Sequence, residues 1–223
     1  VECTNPYMPF GYIHDGIAGH DALIIRPKGG ALERLPFRTD SLHTQSYQVH
    51  VKLTDTPQTP IEVECKSRLS QYEANASILR KKPEERKDRI RKNIQLNRAT
   101  IGEVEVFETS DSIPELTERY TLQAMYGNKN GNRFFIPVNP FREEPFRLTK
   151  EKRKHDIHLS YGYMDNDTIR ISLPEGYQVE TKPKDISQTY PFGHIQSKIE
   201  VTDKELVITQ SLFIKKGVYP VSQ

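Results

Sequence analysis

Alternation of apolar and polar residues constrains the fold of this chain more than any other feature of the sequence. Every second residue from Tyr47 to Leu53 is apolar, and Ile61, Val63 and Cys65 repeat the pattern. Side chains on a strand point to opposite faces in turn, so each such segment has one buried and one wet face. The pattern returns in short stretches from residue 100 to residue 214, with turn residues between them. The sequence therefore predicts a mainly β fold, an antiparallel β-sandwich.

One region breaks this pattern and is predicted to be a small helical insertion, residues 70–97. Ser70 and Glu73 have the spacing of a capping box, in which each side chain accepts a hydrogen bond from the other residue's backbone amide. Pro83 suits the first turn of a second helix, and the acidic residues after it favour that end. Ile90 and Ile94 are four residues apart and share a face. We expect a pair of helices between strands.

Turn signals divide the β segments at three informative places. Residues 27–30 (Pro-Lys-Gly-Gly) separate two apolar stretches and predict a hairpin. Residues 128–131 contain an Asn-Gly step, which tolerates the positive φ of a tight hairpin. Residues 165–167 (Asp-Asn-Asp) are expected to form a turn between strands at 157–163 and 169–173.

Charge and hydropathy exclude two classes of partner. The 223 residues include 32 Lys and Arg against 30 Asp and Glu, a net charge of +2, so we expect no nucleic-acid partner. The most basic segment, residues 80–92, also contains Glu84, Glu85 and Asp88, which compensate much of its positive charge. It is therefore predicted to be a solvent-exposed helix face. No apolar run approaches the ~18 residues of a membrane span, so no membrane insertion is predicted.

The two cysteines are not predicted to be catalytic. Cys65 lies on the apolar face of its strand, which favours a buried structural thiol. Cys3 precedes residues 4–6, a turn, whereas an activated cysteine usually lies at a helix N-terminus beside a base.

Histidine pairs raise the alternative of a metal-dependent hydrolase. The dipeptides His14-Asp15 and His20-Asp21 combine ligand types that suit zinc, but a site needs three or four converging ligands. We therefore interpret them as exposed loop residues. His155 and His158 would point to opposite faces of a strand, and His50 lies on a wet face. No metal and no cofactor is predicted.

Tyrosines could form a platform for stacking sugars. Tyr161, Tyr163 and Tyr177 occur near predicted strand ends. Strand tyrosines more often pack on sheet faces, and the chain has no tryptophan, so we favour packing.

Two stretches carry a family resemblance. Residues 2–12 (ECTNPYMPFGY) resemble the end of a bacterial transglutaminase-like domain, where an acidic residue, any residue and Thr precede a Pro-Phe-Gly-Tyr loop. Residues 167–177 (DTIRISLPEGY), with Pro183, Phe192-Gly193 and residues 217–220 (GVYP), resemble the C-terminal β-sandwich module of unknown function that follows such domains in exported bacterial proteins. The resemblance implies that residues 1–40 are the tail of a transglutaminase-like domain with a linker, and residues 41–223 a β-sandwich accessory domain.

The resemblance also implies where the chemistry lies. The family's papain-like core uses a cysteine, a histidine and an acid, and Glu2 falls at the acid position, where aspartate is usual. The other two residues would lie upstream of Val1. We therefore expect a non-catalytic accessory or interaction domain of a transglutaminase-like or cysteine-peptidase-like protein, outside the cytoplasm in the periplasm or at the cell surface. Its expected partners are the parent domain and a surface protein or glycan. The alternative is a free-standing carbohydrate- or protein-binding module.

Overall fold

The structure is a computed structural model that describes residue 5 and residues 8–56, 58–109, 113–142 and 153–221. Two helices and fourteen strands occur in these residues. The helices are α1 (Ser70–Asn75) and α2 (Pro83–Asn93), joined by a 3-10 turn at Ala76–Arg80. The strands are β1 (Asp21–Arg26), β2 (Gly29–Arg34), β3 (Thr44–Lys52), β4 (Thr59–Arg68), β5 (Asn97–Glu108), β6 (Glu115–Met125), β7 (Asn128–Asn130), β8 (Arg133–Phe135), β9 (Ile157–Leu159), β10 (Tyr163–Ser172), β11 (Ile186–Tyr190), β12 (Gly193–Val201), β13 (Glu205–Ile214) and β14 (Gly217–Tyr219).

Eight of the strands form one sheet in the order β11-β12-β13-β10-β3-β4-β6-β5. All neighbours are antiparallel except β10 and β3, which run parallel. The prediction of a mainly β fold is confirmed. The sheet is mixed, because the chain from β4 to β9 intervenes before β10 returns beside β3.

One face of this sheet carries the main core. Val49, Ile169 and Ile208 are directly paired across β3, β10 and β13, and each is at most 2% exposed. Residues from α2, from the segment 134–141 and around Val179 pack against these positions. The other face exposes Gln48, His50 and Glu62 on the central strands, as the period of two predicts.

The predicted helix pair is present, but the predicted capping box at Ser70 and Glu73 is wrong. Helix α1 begins after Leu69, which has φ 52°, and no side chain caps it. The Ser70 hydroxyl lies 3.1 Å from Nδ1 of His43, and Glu73 pairs with His14 instead. Both side chains are thus used in tertiary contacts, which outcompete a local cap. Pro83 does occupy the first turn of α2, as predicted.

Of the three predicted turns, the first is confirmed, and the second is displaced toward the C-terminus because residues 128–130 form β7. Residues 27 and 28 connect β1 to β2, and Gly131, with φ +59°, begins the turn from β7 to β8. The predicted turn at residues 165–167 is wrong, since β10 continues through it. Its acidic side chains lie in mid-strand because an arginine from a distant segment, Arg142, neutralises them.

Residues 8–20 pack on α1. Tyr12 is 4% exposed and contacts the Tyr72 ring, with ring centroids 6.0 Å apart. Met8 packs against the small core cluster that includes Tyr72, Ala76, Ile78 and Leu116. The division at residue 40 stays a prediction. None of the helices in the described ranges is both long and apolar enough to cross a membrane.

Candidate functional site

A row of polar side chains crosses the core face of the eight-stranded sheet. Six adjacent strands of the sheet, β12, β13, β10, β3, β4 and β6, each contribute one residue to this row. Each residue is paired directly with the next across the sheet, so all six side chains point to the same face. The row consists of Ser197, Gln210, Asp167, Tyr47, Cys65 and Glu118. The next row along the strands is apolar and includes Val49, Val63 and Ile169. The polar row therefore marks where the hydrophobic core ends.

A cleft of about 980 Å³ lies over this row. Helix α2 forms one wall, and the segment from Asn139 to Arg142 covers another part of the sheet face. Phe141 is 3% exposed and stacks near Tyr47, with ring centroids 6.2 Å apart, which fixes the segment on the sheet. The volume lies at the upper end of the about 300–1,000 Å³ typical of ligand pockets.

Arg142 holds the centre of the cleft together. Its Nε and Nη2 atoms donate to the two carboxylate oxygens of Asp167, at 2.8 and 2.7 Å. Its Nη1 atom donates to the side-chain oxygen of Gln45 and lies 3.3 Å from Asp165 Oδ2. The guanidinium carbon lies 4.9 Å from the centre of the Tyr47 ring, a cation–π distance. Arg142 thus neutralises two acidic residues that a sheet face could not otherwise bury.

Asp167 is the most fully satisfied acid in the cleft. Besides the bidentate arginine, it accepts hydrogen bonds from the Tyr47 backbone amide at 3.1 Å and from Asn139 Nδ2 at 2.8 Å. Asn139 also donates to Gln210 Oε1 at 2.9 Å, so the network continues onto β13. These contacts fix the side-chain orientations of Asp167, Asn139 and Gln210.

Asp165, two residues earlier on the same face of β10, has fewer hydrogen-bond partners than Asp167. Its Oδ1 atom is buried and makes no hydrogen bond to any described residue. Burial raises the pKa of this carboxyl to about 6, although Arg142 opposes the shift. Asp165 can therefore gain a proton in the mildly acidic range.

A second ion pair closes the cleft beside α2. Arg89 Nη1 donates to Glu118 Oε2 at 2.8 Å, and its Nη2 atom contacts the side-chain oxygen of Asn75. Burial raises the pKa of Glu118, and Arg89 partly offsets that rise. The pair fastens α2 to β6 across the cleft.

Cys65 lies in the cleft floor between Tyr47 and Glu118. It is 3% exposed, so the prediction of a buried thiol is confirmed. Burial, assisted by the negative charge of Glu118, raises the pKa of the thiol to about 12. The thiolate needed for nucleophilic attack is therefore not populated near neutral pH.

The candidate histidines do not converge, and the interpretation of residues 14–15 as exposed is wrong, because the Asp15 side chain is 4% exposed and His14 is half-buried against Glu73. His14 Nε2 pairs with Glu73 Oε2 at 2.9 Å, while Asp15 Oδ2 pairs with His43 Nδ1 at 3.0 Å. His20 is exposed, and Asp21 pairs with Arg34 across the first hairpin. His50, His155 and His158 are also exposed. Across the described part of the chain, no three His, Cys, Asp or Glu side chains are placed to hold a metal ion.

Asp15, His43 and Ser70 form a buried cluster that resembles a hydrolase triad only in composition. Asp15 and Ser70 both approach the same ring nitrogen of His43, at 3.0 and 3.1 Å. In a working triad the acid and the nucleophile use opposite ring nitrogens. The cluster instead fastens the loop that contains Asp15 to the start of α1.

The remaining candidate residues are also placed. Tyr161 stacks on His43, the residue that precedes β3. The Tyr177 hydroxyl donates to Asp55, in the loop that follows β3. The three tyrosines therefore do not form one platform. Tyr163 lines the cleft. The basic segment is compensated locally, as predicted, by pairs such as Lys87 with Glu84 and Arg91 with Asp88. Glu2 and Cys3 lie outside the described residues.

The central residues of the cleft were not predicted from the sequence. Asp165 and Asp167 alternate in register with Ile169 and Ile171, which was the available signal that they belong to one continuous strand. Arg142 gave no such signal, because it lies 25 residues away from Asp167 in an irregular segment.

The C-terminal part of the chain matches a known domain family. Residues 132–223 match the family model described as a domain of unknown function with solved-structure structure, DUF3858. This stretch contains Arg142, Asp165 and Asp167, the centre of the cleft. No curated protein and no solved structure matches the chain. The C-terminal part of the chain is thus similar to a domain family of unknown function.

Proposed function

We propose that this chain is a non-catalytic accessory domain of an exported, transglutaminase-like bacterial protein. The resemblance of residues 2–12 to the end of a transglutaminase-like domain supports the parentage. The match of residues 132–223 to a domain of unknown function agrees with the resemblance of the C-terminal part to a module of unknown function, and that resemblance implies the accessory role. Such a domain would buttress a catalytic core, shape its substrate cleft or bind a partner outside the cytoplasm.

The observation that carries the proposal is that the thiol and two of the three acids in the cleft are committed to structural contacts, whereas Asp165 keeps one oxygen without a hydrogen bond to any described residue. The Cys65 thiol is buried with a pKa of about 12, and Glu118 beside it is paired with Arg89. Asp167 accepts a bidentate arginine, which leaves it no role as a base. Among the described residues that line the cleft there is no histidine to activate a nucleophile. What remains is a rigid polar surface suited to binding.

The parentage is tested by the sequence encoded upstream of Val1. We expect a papain-like cysteine at a helix start and a histidine on a following strand. An upstream region that lacks both residues would overturn the assignment to a transglutaminase-like protein.

The non-catalytic role is tested by assaying the purified chain. We expect no incorporation of a fluorescent amine into a glutamine peptide and no hydrolysis of a peptide library above the blank, from about pH 5 to about pH 9. The Cys65→Ala variant is the matched control. Turnover by the chain that disappears in this variant would show that the domain is an enzyme.

A free-standing binding module is the second candidate. The rings of Tyr190 and Phe192 stack at 5.2 Å with an interplanar angle of 5°, and both are more than 40% exposed. Exposed aromatic rings of this kind suit contact with a sugar or a protein. An upstream sequence without a catalytic domain, together with glycan binding by the chain, would favour this candidate.

A further inference from the structure

Seven carboxamide side chains line the cleft, and these fall into two groups. Gln45, Asn75, Asn139 and Gln210 are held by hydrogen bonds to neighbouring groups, among them Arg142, Arg89 and Asp167. They form the fixed floor and wall of the cleft.

Gln71, Asn93 and Gln95 form the second group, here called the free carboxamides. Their side chains line the cleft and make no hydrogen bond to any other described residue. Each carboxamide offers two N–H donors and an acceptor oxygen. Gln71 is half-buried, and Asn93 and Gln95 are exposed. Within the described part of the chain, their donors and acceptors are therefore open to a polar ligand beside a surface that hydrogen bonds hold in place.

The charges of the cleft restrict the class of ligand. Arg142 is paired with Asp165 and Asp167, and Arg89 is paired with Glu118. No cation in the described lining is therefore left over for a phosphate or a carboxylate. The site offers hydrogen bonds without a compensating charge, so it fits an uncharged ligand.

The structure of the cleft floor favours a sugar over a peptide as the ligand. A peptide that binds in an extended conformation can gain affinity by pairing its backbone with a sheet edge. The floor here is the face of β3, β10 and β13, whose backbone groups already pair with neighbouring strands. Hydroxyl groups need no sheet edge, because each can both donate to and accept from a carboxamide.

From these observations we infer that the cleft binds a neutral oligosaccharide, held by the free carboxamides over the floor that Arg142 fixes. Tyr163 lines the same cleft and offers an aromatic surface to the sugar C–H groups. This inference deepens the proposed accessory role and rests on the cleft being a binding surface rather than an active site.

The experiment uses the purified chain on an array of neutral gluco-, manno- and N-acetylhexosamine oligosaccharides, followed by calorimetric titration of the strongest. We expect the triple variant Gln71→Ala, Asn93→Ala, Gln95→Ala to weaken binding at least about tenfold, which corresponds to about 1.4 kcal/mol. The matched control is Gln123→Ala with Gln196→Ala. Both of these residues lie on the opposite face of the sheet, so binding should be unchanged.

Salt dependence provides a second readout. Raising the ionic strength from about 0.05 M to about 0.5 M should leave the affinity unchanged for a neutral ligand, because screening acts on charges. Strong weakening by salt would show that a charged ligand is recognised and would overturn the inference.

Other outcomes separate the two proposals. Binding to a peptide array that the triple variant abolishes, with no glycan bound, would overturn the sugar inference and leave the accessory role standing. Absence of binding on both arrays would also overturn it. Cys65-dependent turnover would instead overturn the proposed non-catalytic function.

Discussion

Arg142 and Asp167 are joined by two parallel hydrogen bonds, Nε to Oδ2 at 2.8 Å and Nη2 to Oδ1 at 2.7 Å. The Asp167 side chain is only 5% exposed, whereas that of Arg142 is 24% exposed. The arginine therefore compensates a charge that the sheet has removed from water.

Replacing Arg142 by Met should destabilise the fold by about 3 kcal/mol, because Asp167 would be left as an uncompensated buried charge. Urea unfolding monitored by circular dichroism measures the change. Adding Asp167→Asn to this variant should restore part of the loss, since the unpaired charge is then gone. A double variant less stable than Arg142→Met alone would contradict the compensating role of the arginine.

Asp165 should make the stability of the protein fall as the pH rises. Its pKa is about 6 in the fold against 3.8 as the ordinary value, so the folded state retains a proton that the unfolded chain has lost. Stability is fully retained below pH 3.8 and declines as the pH rises through about 6. Asp165→Asn should remove this decline and raise the free energy of unfolding near pH 8 by up to about 3 kcal/mol.

The measurement is the difference in the free energy of unfolding between the Asp165→Asn variant and the unsubstituted chain at several pH values. Asp203→Asn, in the exposed turn between β12 and β13, serves as the control. A difference that is the same at about pH 4 and about pH 8 would contradict the raised pKa.

Cys65 should resist alkylation in the native state. The thiol is buried and has a pKa of about 12, so iodoacetamide at about pH 8 should modify it only as fast as the protein unfolds. Mass spectrometry of the tryptic peptides separates Cys65 from Cys3. Fast native labelling of Cys65 would show that the cleft floor opens more readily than its burial suggests.

Neighbouring residues on β13 test the assignment of the two sheet faces. Ile208 is 2% exposed in the core, while Thr209 is exposed on the other face. Ile208→Asp should unfold the domain or destabilise it by more than about 4 kcal/mol, because it buries an unpaired charge. Thr209→Asp should change stability by less than about 0.5 kcal/mol. Similar melting temperatures for the two variants would contradict the assignment.

Local pattern predicted much of the fold. The period of two located most of the strands and the buried face, and with it the burial of Cys65. Pro83 marked the start of α2, and glycines marked two hairpins. These predictions succeeded because strand periodicity and turn chemistry act over a few residues and reflect the same burial that the tertiary structure imposes.

The sequence by itself determined a mainly β chain, its strand faces and its helical insertion. Only the tertiary structure decided the parallel pairing of β3 with β10 and the path of β10 through residues 165–167. Acidic residues alone favour a turn, but Arg142 supplies a charge that makes a strand possible at that point. The same holds for Ser70 and Glu73, whose capping spacing was overridden by His43 and His14. In each case the deciding partner lies far away in sequence, so no local pattern could reveal it.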